Sequence, residues 1–315
     1  MLSFHPPGFE QRIFKTSLGI MVYYTSVDCQ GPSDLHETDI TEQDLPPLVF
    51  LHSLGGGSSA YEWSKVYPAL AATYRIIAPD LIGWGQSPHP AKDYQIEDYF
   101  ILLAELLEQL SPPVPVVASS LTAGLTIRLA IRRPDLFQKL FLVSPAGYAD
   151  FGADYGSGMA AQIVRIPGLD RLLYTLAAAN EFAVRTFLEE VLFAERSRLT
   201  QETVNAYLAS AQQLNAEYAA LSSLRGDLCF DLALYFDQLT TATFIVWGEK
   251  SRFGGVDIGK RLARLNPNAV KAFWAIANTG VLPHLETPEI VIGLLHKALE
   301  MEMDGSQAIN LDCNL

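Results

Sequence analysis

Short apolar runs alternate along this chain with stretches whose apolar residues recur at helical spacing. Residues 10–25 read as two short strands joined near Leu18–Gly19, with Ile20, Val22 and Tyr24 able to share one face. Pro46–Pro47 leads into Leu48–Leu51, a buried-strand run followed at once by Ser53 and by Gly55, Gly56 and Gly57. The pattern then predicts a helix over Tyr61–Ala72, a strand over Tyr74–Ala78 and a helix over Asp93–Leu110. A strand over Val114–Ala118 follows, then a helix over Leu121–Arg133 stopped by Pro134, and a strand over Leu140–Val143. Later come a strand Thr243–Trp247, a helix Val256–Leu265, a strand Val270–Ile276 and a last helix over Glu286–Glu300. Strands this apolar are buried on both faces, so the alternation predicts a mostly parallel sheet covered by helices on each side.

Residues 149–241 break that rhythm. They carry helical runs at Arg171–Ala179, Phe182–Phe193 and Gln201–Leu221, and no Lys. A helical insertion between two sheet strands is expected to cover the carboxyl edge, where open α/β sheets bind ligands. The expected organisation is a core formed by 1–148 and 242–315 with a cap at 149–241. The apolar faces of 171–179 and 182–193 suit either the cap's own core or the wall of a lipid-sized pocket.

Composition narrows the function classes. The 22 Lys and Arg against 35 Asp and Glu leave a net charge of −13, which argues against a nucleic-acid binder and against an anionic membrane surface as the main partner. Hydrophobic residues at 49% and charged residues at 18% exclude a disordered chain. Six Asp or Glu fall within 28–44 with no Lys or Arg, the pattern of a solvated loop. Three cysteines, Cys29, Cys229 and Cys313, lack the spacing of a disulfide framework or a metal site. No basic and apolar leader is seen, and no apolar run reaches the roughly 18 residues of a membrane span, so a cytoplasmic protein is expected. Neither a G-x-G-x-x-G nor a Walker motif is present, nor HExxH, so no cofactor and no metal are expected.

The chemistry centres on Val116–Gly124, where a buried strand turns straight into a helix and raises a serine hydroxyl beside free helix N–H groups. Ala118-Ser-Ser-Leu-Thr122 resembles the nucleophile elbow G-x-S-x-G of the α/β-hydrolase superfamily and puts Ser120 at the nucleophile position. The likeness continues through Leu48–Ser53, Ala78–Ser87, Arg133–Phe137 with Leu142–Ala146, Val246–Lys250 and Gly280–Glu286, in the order that the superfamily shows. It implies an α/β-hydrolase fold, an eight-strand, mostly parallel sheet with helices on both faces and an inserted helical cap, the first two strands pairing antiparallel at one edge. It also implies an oxyanion hole made by the backbone N–H groups of Leu54 and Leu121.

The departures from that pattern fall on the catalytic groups. The usual acid position holds Ser251 and the usual histidine position holds Val281, while Ala118, Thr122 and Ser53 replace glycines. A serine hydroxyl attacks only when a base takes its proton, and losing that base costs on the order of 10⁴–10⁶ in turnover. Six histidines are present, at positions 5, 36, 52, 89, 284 and 296. His52 is expected to order the glycine loop. His284, expected near the start of the last helix with its side chain along the helix surface, is the candidate relocated base. Asp257, Asp150 and Glu249 are candidate acids. Two readings follow. One is a protein with a degenerate triad that binds an apolar ester, acid or lipid-like molecule under the cap, or serves a protein partner. The other is an esterase, lipase or acyltransferase working through Ser120 with a base from elsewhere in the chain.

Overall fold

The computed structural model describes residues 5–27, 45–153, 174 and 179–301, and the backbone of 313–314. The acidic stretch 28–44, the helical run 171–179 apart from Tyr174 and Ala179, and Cys29 fall outside the described residues.

Nine strands form one sheet in the order β1-β2-β4-β3-β5-β6-β7-β8-β9. β1 (Phe9–Thr16) and β2 (Gly19–Ser26) make an antiparallel hairpin, and β2 runs antiparallel to β4 (Arg75–Asp80). From β4 onward all pairings are parallel, through β3 (Pro47–Leu51), β5 (Val114–Ser119), β6 (Phe137–Val143), β7 (Thr243–Gly248) and β8 (Val270–Ile276). The expected eight strands are all present. The ninth, β9 (Cys313–Asn314), is a two-residue edge beside β8 that no apolar run announced.

β4, β5 and β7 are buried at every position, which explains why their sequences show runs and no alternation. Alternate side chains feed two cores. Val49, Leu51, Val116 and Ala118 pack with α1 (Ile96–Glu108), α2 (Ser120–Arg132) and α6 (Val256–Leu265). Phe50, Val117, Phe244 and Trp274 pack on the other face with Trp63, Tyr67 and α8 (Pro288–Glu300).

Three expected helices come out differently. The 61–72 segment is two short 3₁₀ turns, Ala60–Trp63 and Tyr67–Leu70, because Trp63 is drawn inward to donate to the Leu51 carbonyl and Pro68 removes an amide donor. The last helix is divided into α7 (Pro283–Glu286) and α8, since Pro288 cannot continue the hydrogen-bond ladder. The insertion between β6 and β7 carries α3 (Glu181–Phe187), which passes into a π turn over Leu188–Leu192, then α4 (Gln201–Ala211) and α5 (Ala216–Arg225). The expected single helix over 201–221 breaks at Asn215, whose φ of 68° suits an amide side chain better than most. This helical cap seals onto the segments above the sheet through Leu188, Leu192, Phe193 and Tyr207, which pack with Tyr61, Val281 and Leu285.

Gly248 closes β7 against the loop after β8. A Cβ there would stand 1.9 Å from the Gly280 carbonyl oxygen, so only glycine lets the two loops approach. Gly248→Ala is expected to lower unfolding free energy by about 1–3 kcal/mol in urea titrations. An unchanged midpoint would show that the loops separate freely.

Candidate functional site

β5 ends at Ser119 and α2 begins at Ser120 with no residue between them. Ser120 takes a φ of 54°, a strained value for a residue with a Cβ, and the turn holds because α2 is pressed against the segment after β6. The Ala146 amide donates to the Ser120 carbonyl at 3.2 Å, and a Cβ on Gly124 would come within 2.4 Å of the Ala146 oxygen. Thr122, fully buried, leaves its Oγ1 without a partner among the described residues.

The segment after β6 is kinked as well, with φ of 46° at Ser144 and 66° at Tyr148. It delivers the group that touches the serine: Tyr148 Oη lies 2.8 Å from Ser120 Oγ. The tyrosine ring rests edge-on against Phe253 at 5.7 Å. Sequence reasoning missed Tyr148, since nothing in its local pattern marks a residue that reaches the elbow from the next strand's loop.

A cavity of about 240 Å³ opens over Ser120. Ser53, Leu54, Gly55 and Gly56 form one wall, Tyr148 and Phe253 another, and Leu192, Val281 and Leu282 a third, with no charged side chain in the lining among the described residues. Leu54 therefore faces the same space as Ser120. Leu121 is the second residue of α2, so its amide is one of the first-turn donors that a helix leaves without an internal acceptor.

None of the described histidines is hydrogen-bonded to Ser120. His52 Nδ1 lies 2.6 Å from the Ser53 carbonyl, and its Nε2 accepts from the Leu81 amide at 3.0 Å, so both ring nitrogens order the loop. His284 was expected on a helix surface, but it is fully buried, stacked on Trp63 at 4.0 Å between ring centroids. Neither of its ring nitrogens has a hydrogen-bond partner among the described residues. The reason is α7, a single turn that points inward. Burial holds its pKa down to about 4, against the opposing pull of Glu62. The structure thus does not bring His284 into hydrogen bonding with Ser120. His5 and His89 lie beside the carbonyls of Pro6 and Gly85, His296 is half-buried on α8, and His36 falls outside the described residues.

None of the candidate acids is hydrogen-bonded to the serine hydroxyl either. Asp150 is buried and accepts from the Gly147 and Leu232 amides, tying the cap's two ends together. Asp257 is exposed in the first turn of α6, and Glu249 is half-buried beyond β7. Ser251 is half-buried, its amide donating to Gly248, while Val281 is buried with its amide bound to the Leu192 carbonyl. Burial pushes the Cys229 thiol up to about 12, away from nucleophilic use. Among the described residues no group of three His, Cys, Asp or Glu could hold a metal, and no helix is long and apolar enough to cross a membrane.

The family model of alpha/beta hydrolases matches residues 48–294. The chain belongs to the α/β-hydrolase family. Among relatives, the uncharacterized hydrolase YugF of Bacillus subtilis is 28% identical over 78% of this chain and 86% of its own length. The uncharacterized protein Rv2715 of Mycobacterium tuberculosis is 36% identical, but the match spans 32% of this chain and 30% of that protein. Among solved structures, the epoxide hydrolase CorEH superposes with a TM-score of 0.73 at 21% identity, covering 92% of this chain and 98% of that one. At that identity the likeness speaks for the fold alone. This α/β-hydrolase therefore has the family's sheet, its strand–turn–helix and its cap.

The buried imidazole sets a pH dependence. With a folded pKa near 4 against an ordinary 6.5, the folded chain binds fewer protons, so stability falls as pH drops from about 6.5 toward 4. The loss amounts to roughly 3 kcal/mol at the acid end. His284→Phe keeps the stack on Trp63 and should flatten that acid limb in melts across pH 4–7. An acid limb as steep as that of the wild type would show that the imidazole is not held neutral.

Proposed function

We propose that this α/β-hydrolase holds an apolar ester, acid or lipid-like molecule under its cap, with an oxygen of the ligand set against the Leu54 and Leu121 amides beside Ser120. One observation carries the reading: among the described residues the partner of the Ser120 hydroxyl is the Tyr148 phenol, and Val281, which the sequence resemblance sets at the histidine position, lines the same cavity with a side chain that takes no proton. A phenol is a weak base at neutral pH, so the serine stays a hydroxyl and the ligand stays whole. Ser251 at the acid position accords with this, because an acid without an imidazole to orient has no task there.

The comparisons favour a second reading more than this one. YugF and CorEH both bear the name of hydrolase, and an active esterase, lipase or acyltransferase acting through Ser120 with a relocated base shares their fold.

A fluorophosphonate probe separates the two. Labelling of the wild type no stronger than that of Ser120→Ala is expected. Labelling that Ser120→Ala abolishes would replace the first reading by the second.

Restoring the family's acid and base tests the same point from the other side. The double substitution Ser251→Asp and Val281→His is expected to raise p-nitrophenyl ester hydrolysis by about 10² or more over the wild type. No gain in a variant that melts like the wild type would mean that the site's geometry, and not two missing groups, blocks the chemistry.

A further inference from the structure

Glu62 lies behind the cavity wall, fully buried, on the first 3₁₀ turn. Its Oε1 accepts from the Ser53 hydroxyl at 2.7 Å and the Tyr207 hydroxyl at 2.8 Å, and its Oε2 from the Ser53 amide at 2.8 Å and the Ser119 hydroxyl at 3.5 Å. No Lys or Arg pairs with it among the described residues. A carboxylate with hydroxyl and amide partners but no cation keeps a negative field in its surroundings.

Proton counting then fixes what Ser53 can offer. A serine hydroxyl has one proton and two lone pairs, and this proton goes to Glu62. Ser58 Oγ stands 2.8 Å from Ser53 Oγ and so must be the donor of that bond. Ser53, which lines the cavity, retains one lone pair and no proton. The next residue offers the opposite: the Leu54 amide makes no hydrogen bond among the described residues and can only donate.

The geometry points to a ligand that is uncharged and carries a polar hydrogen beside its carbonyl, such as an amide or a hydroxyl-bearing acyl compound, its hydrogen taken by Ser53 and its carbonyl by the Leu54 amide. A free carboxylate is rejected, because its acceptor oxygens would meet the Ser53 lone pair and the field of Glu62, with no cation in the lining among the described residues to offset them. This assignment rests on the ligand-holding role proposed above and moves its ligand class away from free acids and plain esters toward acyl compounds that carry a polar hydrogen.

The test is displacement of Nile red from the full chain at pH 7 by hexanamide, methyl hexanoate and hexanoate. Hexanamide is expected to compete at a concentration at least about tenfold below that of hexanoate, with the ester between them. Equal competition by all three, or a lead for hexanoate, overturns the assignment and leaves the ligand-holding role standing. If none of the three displaces the dye, that role falls and the assignment with it. Glu62→Gln puts an amide donor behind Ser53 and frees its proton for the cavity, so the preference for hexanamide should shrink about tenfold or more. Ser53→Ala should do the same without altering the buried carboxylate itself, and it serves where Glu62→Gln melts early. A preference unchanged in a folded variant of either kind also overturns the assignment.

Discussion

The turn from Ser119 to Ser120 is the constraint on which the site depends. A fully buried strand becomes a helix with no residue to spare, and Ser120 absorbs the reversal in a backbone conformation that costs on the order of 1–3 kcal/mol. Packing supplies that energy. α2 lies against the backbone at Ala146 because Gly124 has no Cβ, and the parallel ladder on both sides of β5 prevents the strand from slipping. The strain places a hydroxyl over the sheet's carboxyl edge whether or not a base is there to use it. The fold therefore retains the geometry of a nucleophile independently of the chemistry.

How much of this was legible in the sequence depends on the range of the interaction. Strands buried on both faces show as apolar runs, so β3, β4, β5 and β7 were readable without knowledge of their partners. The elbow was readable too, since Ala118–Thr122 joins a strand pattern to a helix pattern within a few residues. Tyr148 and Glu62 were not. Tyr148 meets Ser120 across 28 positions, and Glu62 gathers Ser53, Ser119 and Tyr207 from a loop, a strand and a helix, with Tyr207 145 positions away. Glu62 sits beside Trp63 in a stretch with helical spacing, where a carboxylate usually faces solvent, and only the 3₁₀ geometry turns it inward. The burial of His284 was hidden for a similar reason, because Pro288 breaks the last helix and turns α7 into the core.

Most polar side chains around the cavity are hydrogen-bonded within the protein. The serine and the tyrosine bind each other, Ser53 gives its proton to Glu62, and His52 uses both nitrogens on loop backbone. A hydrolytic site needs the opposite, a group whose proton affinity rises and falls during the reaction near neutral pH. The buried imidazole that has the right chemistry, His284, is held neutral and has no hydrogen-bonded path to Ser120 among the described residues. Hydrogen bonds committed in this way hold a ligand in one orientation and resist proton exchange, because any transfer would leave a buried donor or acceptor unpaired at a cost of about 1–3 kcal/mol. The same arrangement that weakens the case for turnover thus strengthens the case for selective binding. A cavity with a fixed acceptor at Ser53, a fixed donor at Leu54 and no charge in its lining among the described residues would discriminate by hydrogen-bond polarity, which needs only that its groups stay where the loop and the elbow put them.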